Sequence, residues 1–101
     1  MVLARVVGSV VSTIKEHRLE GIKFLLLEKI DVNTLKGKND FVVAMDAVGA
    51  GEGEIVFFVS GSSSRQTEVT NGKPSDATII AIVDSFDING RTAYSKSRIE
   101  K

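Results

Sequence analysis

Four segments of this chain, "FLLL", "FVVAM", "IVFFV" and "IIAIV", are apolar at every position rather than at alternate ones. A β-strand turns successive side chains to opposite faces, so each of these runs presents two apolar faces. With 101 residues, the chain can build one domain around one core. One core buries only one face of each strand, so the second faces need another cover. At about 25 cal/mol per Å² of apolar surface, leaving several of them in water costs many kcal/mol. Association between copies of the chain is the simplest cover.

The segmentation supports strands. Runs rich in Val, Ile and Phe, bounded by Gly, Asn, Asp or Ser, predict five of them: Val2–Thr13, Ile22–Asp31, Phe41–Asp46, Glu54–Ser60 and Thr78–Ile88. Only the first alternates, with Val2, Ala4, Val6, Gly8 and Val10 on one face and Arg5, Ser9 and Thr13 on the other. Gly8 in mid-strand marks a bulge, a bend or a close backbone approach. Connections are short except for Asn33–Asp40 and Gln66–Ser75. Helix-start character is confined to Ser62–Thr67 and "KPSDAT", where Ser75 can cap a single turn after Pro74. Five strands and little helix leave a sheet-edge problem, which closure into a barrel solves. The expected fold is therefore mainly β: a small five-stranded barrel with one short helix. Residues 1–88 read as one domain and 89–101 as a charged C-terminal tail. The tail opens on the hairpin-like pair Asn89-Gly90 and is compatible with a short edge strand.

Composition narrows the function classes. Thirteen basic residues balance thirteen acidic ones, so no net field draws the chain to nucleic acid or an anionic membrane. There is no cysteine, which rules out disulfides and thiolate zinc sites. In "MVLARVVGSVVST" the arginine at position 5 interrupts a short apolar stretch whose valines recur with strand-like spacing, so it reads as a first strand rather than a signal peptide. No apolar run reaches membrane-spanning length, and a soluble protein is expected.

The search for chemistry centres on "DAVGAGEGEIVFFVSGSSSRQ", residues 46–66. A dinucleotide fingerprint fails because Glu54 stands where the third glycine is required and the following segment reads as a strand. A Walker loop fails because neither Gly37-Lys38 nor Gly72-Lys73 has a glycine five residues earlier. The glycines read instead as a tight turn needing positive φ or close backbone contact. His17 is the only histidine and lies among Lys15, Glu16 and Arg18, where it reads as a solvated loop residue. Ser62, Ser63 and Ser64 lack a nucleophile elbow. Asp46, Glu52, Glu54 and Asp84 sit at loop margins, where solvated or capping roles are the common ones. No catalytic constellation, metal or cofactor is expected. The barrel architecture also suits proteins that bind single-stranded nucleic acid or glycan, but those stack bases on exposed aromatics among Lys and Arg. Here Phe24, Phe41, Phe57 and Phe58 fall within apolar runs, and only Tyr94 has basic neighbours.

Taken in order, "GSVVSTIK", "LEGIKFLLLE", "DAVGAGEGEIVFFVSGSSSRQ" and "PSDATIIAIVDS" resemble successive blocks of the vertex proteins of bacterial microcompartments, the family of carboxysome and ethanolamine-utilisation shells. The resemblance covers most of residues 1–88. It implies an oligonucleotide-binding-like (OB-like) barrel without catalytic activity. It further implies a homopentamer that closes the five-fold vertices of a polyhedral shell in the cytoplasm, in contact with hexameric shell proteins. On this resemblance the "VGAG" turn, Val48, Gly49, Ala50 and Gly51, is assigned to subunit contacts or the neighbourhood of the central opening. The small-polar loop Gly61, Ser62, Ser63, Ser64 and Arg65 receives the same assignment. The residues leave open which loop lines the opening and whether the ring closes with five or six copies. The alternative function is an OB-like barrel binding single-stranded nucleic acid or glycan.

Overall fold

The valine-, isoleucine- and phenylalanine-rich runs do form strands, and five of them wrap into a barrel. A computed structural model of the chain describes residues 2–11, 13, 21–61 and 77–96. Seven strands run through these residues: β1 (Val2–Val10), β2 (Phe24–Ile30), β3 (Gly37–Asp46), β4 (Ile55–Ser60), β5 (Ala77–Ile82), β6 (Ser85–Ile88) and β7 (Arg91–Ser95). The first five close in the order β1-β2-β3-β5-β4, so both sides of each are paired. All neighbours are antiparallel except β3 and β5, which run parallel through Met45–Thr78 and Asp46–Ile79. β6 and β7 form a separate hairpin. Its turn falls at the boundary between residues 1–88 and 89–101, where Asn89 and Gly90 take φ of 51° and 79°, as a two-residue hairpin loop of this hand requires.

The interior is filled by Ala4, Val6, Leu25, Leu27, Ala44, Val56, Phe58, Ala77 and Ile79. Alanines on three different strands leave room for the larger side chains in so narrow a barrel. In β1 the register slips: Val6 faces Leu27 and Gly8 faces Leu26, leaving Val7 unmatched and 39% exposed. Gly8 thus lies at a bulge, and the space around it is open, so close backbone approach is not its reason.

The outer faces are treated differently around the barrel. On β1 and β4, Leu3 pairs with Phe57 and Arg5 with Ile55, opposite in facing to the interior pairs Ala4–Val56 and Val2–Phe58. The outer residues join a second apolar cluster in which Ile30, Ile55, Val83 and Tyr94 are buried and Leu3, Leu35, Phe57 and Phe86 pack against them. The β6–β7 hairpin supplies two aromatic members, Phe86 and Tyr94, stacked with centroids 5.9 Å apart. The chain therefore covers part of its own second face, where the sequence pattern pointed to a neighbouring subunit. Periodicity reports that a face is apolar but not which segment will cover it. On β2 and β3 the outer rows Leu26–Val43 and Glu28–Phe41 keep their exposure, with Phe41 50% and Val43 46% accessible.

Strand limits shift for identifiable reasons. The expected strand Thr78–Ile88 is two strands. Val83 donates its amide to the Ile55 carbonyl at 2.8 Å and turns its side chain into the second cluster, after which the chain pairs with β7 instead of the barrel. β3 starts at Gly37, opposite Ile30, rather than at Phe41. The connection is that short because Asp31 organises it, its carboxylate accepting the Asn33 and Thr34 amides at 2.8 and 3.0 Å. Those two bonds hold the Asp31 carboxyl below its ordinary pKa. Leu35 takes a left-handed φ of 63°, and Arg5 Nη1 donates to its carbonyl at 3.0 Å. β1 ends at Val10, short of Thr13. Both stretches considered for the short helix, Ser62–Thr67 and the approach to Ser75, lie outside the described residues, as does His17.

Because Tyr94 is 3% exposed and roofs Ile55, Tyr94→Ala is expected to lower the unfolding free energy by about 3 kcal/mol. Chemical denaturation at fixed protomer concentration measures this, and a loss below about 1 kcal/mol contradicts the packing described.

Candidate functional site

The turn between β3 and β4 is built on one carboxylate. Asp46 ends β3, and its Oδ1 accepts the amides of Val48, Gly49 and Ala50 at 3.0, 2.9 and 3.3 Å. An aspartate accepting backbone amides two to four residues on is the turn-forming use of this side chain, consistent with the capping role its loop-margin position suggests. The same residue donates its amide to the Lys23 carbonyl at 2.9 Å and pairs with Ile79 across the closing seam. The turn therefore has little freedom relative to the barrel.

Within the turn the four candidate residues have distinct surroundings. Ala50 is 1% exposed and belongs to the interior cluster, so its methyl anchors the turn on the barrel. Val48 is 38% exposed, and Gly49 and Gly51 are exposed. Gly49 has a φ of 78°, a left-handed conformation that favours glycine. Gly51 does not share it; a Cβ there would meet Glu54 Oε1 at an ordinary 3.5 Å. The second left-handed position is Gly53, with φ of 86°. The alternation of Gly49, Gly51 and Gly53 thus conceals two glycines required by conformation and one that is not.

Glu54 closes the turn from the far side. Its Oε1 accepts the Gly51 amide at 2.6 Å, and its Oε2 accepts Lys96 Nζ at 2.5 Å. The Lys96 ammonium, and after it the Gly51 amide, hold the Glu54 carboxyl below its ordinary pKa of 4.5, against the opposing effect of burial. A depressed folded-state pKa means the pair stabilises the fold above the ordinary value and ceases to do so as pH falls through the depressed one. The backbone here is also tied to β1: Gly53 donates to the Val6 carbonyl at 2.8 Å, and Val6 donates to the Glu54 carbonyl at 2.9 Å. The sequence carried no sign of the Glu54–Lys96 pair, whose members stand 42 positions apart.

Of the second candidate loop, Gly61 is described. It follows β4, is exposed and has a φ of 64°. Ser62, Ser63, Ser64 and Arg65 lie outside the described residues.

Nothing among the described residues assembles into catalytic machinery. No three His, Cys, Asp or Glu side chains converge as a metal site there. Asp46 and Glu54 are engaged in holding one turn. An open cleft of about 430 Å³ lies between the Asp31 turn and the hairpin tip, lined by Asn33, Ile88, Asn89, Arg91, Thr92 and Ala93. Its lining offers no carboxylate or histidine as an acid or base. The aromatic with basic neighbours, Tyr94, is buried against Phe86, and burial raises its hydroxyl pKa. It offers no open ring for base stacking. Phe41, although it falls within an apolar run, stands half-exposed on the outer face of β3.

Comparison with known proteins agrees with this architecture. The family model described as "Ethanolamine utilisation protein EutN/carboxysome" matches residues 1–84. The chain is 43% identical over 96 residues to the carboxysome shell vertex protein CcmL of Gloeobacter violaceus, spanning 95% of each chain. The solved structure of that CcmL superposes with a TM-score of 0.89, covering 96% of this chain and 99% of the other. The shell vertex protein EutN of Escherichia coli is 41% identical over 98 residues, 95% of this chain and all of its own. The GrpN pentameric microcompartment shell protein of Rhodospirillum rubrum superposes with a TM-score of 0.78 at 39% identity, covering 87% of this chain and 99% of the other.

The turn geometry separates the glycines experimentally. Gly49→Ala and Gly53→Ala are each expected to cost about 1 kcal/mol or more, since their φ is strained for any L side chain, whereas Gly51→Ala stays within about 0.5 kcal/mol. Asp46→Ala, which strands three amides, is expected to cost about 2 kcal/mol. Equal melting temperatures for all three glycine variants contradict the assignment.

Proposed function

The chain belongs to the EutN/CcmL family of microcompartment shell vertex proteins, and from that membership we propose that it is a structural component of a bacterial microcompartment shell. It assembles as a homopentamer that caps the five-fold vertices and meets hexameric shell proteins at its rim, within the cytoplasm. It catalyses no reaction and needs no cofactor. The observation that carries the reading is near end-to-end likeness, in sequence and in barrel, to proteins whose role is the shell vertex.

The physical features suit that task. Hexagonal tiles cover a plane, and a closed shell needs five-fold points to introduce curvature. A vertex piece therefore needs a rigid outline and a rim complementary to its hexameric neighbours more than a pocket. A head-to-tail ring uses two different patches on each subunit and closes when the rotation per subunit divides the circle. The exposed outer face of β3, with Phe41 and Val43, supplies an apolar surface that a neighbouring copy would bury. The turn of Val48, Gly49, Ala50 and Gly51, together with Gly61, Ser62, Ser63, Ser64 and Arg65, supplies contacts between subunits or near the axis. In that role Val48 offers an exposed side chain, Gly49 and Gly51 allow close backbone approach, and Ala50 anchors the turn. Residues 1–88 carry the barrel of the vertex domain, and the segment 89–101 opens with the strand that completes the hairpin roofing it.

Native mass spectrometry at low micromolar concentration is expected to give a ring of about 55 kDa, five times the 10.9 kDa of one chain. A stable folded monomer that binds single strands in a salt-sensitive way overturns the proposal in favour of a nucleic-acid-binding barrel. In a host making the matching shell proteins, loss of this chain is expected to leave shells open or elongated, with enclosed enzymes still active. Normally faceted, closed particles in the electron microscope, where no second vertex protein is present, refute it.

A further inference from the structure

Glu54 joins three parts of the fold: β1, the glycine turn and the end of the hairpin. Its carbonyl takes the amide of Val6 at the β1 bulge, and its Oε1 takes the amide of Gly51 in the glycine turn. Its Oε2 takes the ammonium of Lys96, at the end of the hairpin. The Lys96 amide in turn donates to the Asp84 carbonyl at 2.8 Å, where β5 gives way to β6. The ion pair is sheltered, with side-chain exposures of 36% for Lys96 and 20% for Glu54. It lies beside Tyr94, whose ionisable surroundings are Lys96, Arg5, Glu54 and Asp84.

Of the two halves of this junction, the turn is anchored at its near end by Asp46 and Ala50, so what Glu54 holds is its far end at Gly51. A two-stranded hairpin in water is marginal without a surface to pack on. The glycine turn contains two left-handed glycines, which lose the most backbone entropy when ordered. A charged carboxylate that takes one hydrogen bond from each half couples them, because ordering either half positions the acceptor for the other.

We propose that Glu54 is a latch through which the C-terminal hairpin fixes the conformation of the glycine turn that is presented to a neighbouring copy of this chain. The turn's contact with a neighbour rests on the reading given under Proposed function, whereas the coupling of hairpin to turn is a property of one subunit. The Lys96 ammonium reaches the turn through the Glu54 carboxylate, whose other oxygen takes the Gly51 amide.

Two variants and two readouts test the latch in the full chain. Glu54→Gln keeps an oxygen acceptor for the Gly51 amide but loses the charge that holds Lys96. Lys96→Met removes the cation and leaves the carboxylate. Amide hydrogen exchange at Gly51 and Gly53 is expected to quicken about tenfold in both, although Lys96 lies 42 positions from Glu54, while amides of β2 stay unchanged. The Gly51 amide shift is expected to titrate with the carboxylate it bonds, at a midpoint below the ordinary 4.5 in the parent chain and at a higher one in Lys96→Met. Both variants are expected to dissociate from ring to monomer at higher protein concentration than the parent. Unchanged exchange and an unchanged titration midpoint in Lys96→Met overturn the latch. Faster exchange with an unchanged ring overturns the link to assembly, which places the turn away from the subunit contact. A parent chain that forms no ring overturns the shell reading itself and is recognised before either variant is made.

Discussion

The barrel closes at Met45 and Asp46, where β3 and β5 run parallel for two residue pairs. This short seam joins the two halves of an otherwise antiparallel ladder, and parallel pairing is slightly the weaker kind per residue. Asp46 compensates by acting in three directions at once. Its backbone pairs with Ile79 and donates to Lys23, and its carboxylate gathers the amides of the turn that follows. Closing the barrel and shaping the exposed turn are therefore not separable events. Ala50, seated in the interior cluster a few residues later, ties the turn to the same core that the seam encloses.

The second constraint is the pair of apolar faces on each strand. The interior takes one face throughout. The other is divided: β1 and β4 are roofed by Phe86, Tyr94 and Val83 from the same chain, and β3 leaves Phe41 and Val43 in water. Among the described residues, the hairpin after β5 covers the side formed by β1 and β4. What the chain does not cover for itself is what a neighbour can stabilise by burying, at about 25 cal/mol per Å² of apolar surface before the cost of association.

Much of this was legible in the sequence, and the parts that were not share one cause. Strand identity follows from residues such as those of "IVFFV", because β-branched and aromatic side chains fit a pleated surface wherever they land. The bulge at Gly8 and the hairpin turn at Asn89-Gly90 are local and were marked by the residues that such backbones need. The family was legible from four ordered blocks, the third of which contains "GSSSR", with Ser62 to Arg65 of that loop outside the described structure. The split of Thr78–Ile88, the roof over Ile55 and the Glu54–Lys96 pair were not legible. Each depends on which distant segment arrives, and no window of sequence contains both partners. Gly51 and Gly53 illustrate the same limit at short range: identical residues two positions apart take different backbone regions, Gly51 giving its amide to Glu54 and Gly53 to Val6.

β3 brings these threads together. Its outer face carries Phe41 and Val43, and the turn with Val48 and Gly49 follows directly from its end. At about 3.4 Å per residue, Phe41 stands about 17 Å along the strand from its end at Asp46. An apolar face and a turn carried on one strand keep a fixed angle to each other, because both are referenced to the same closed ladder. A head-to-tail ring demands such fixity, since an error in the angle between two contact patches accumulates with every copy until the ring fails to close. A barrel with no free edge, stiffened at one end by Asp46 and at the turn's far side by Glu54, has the rigidity that this demand calls for.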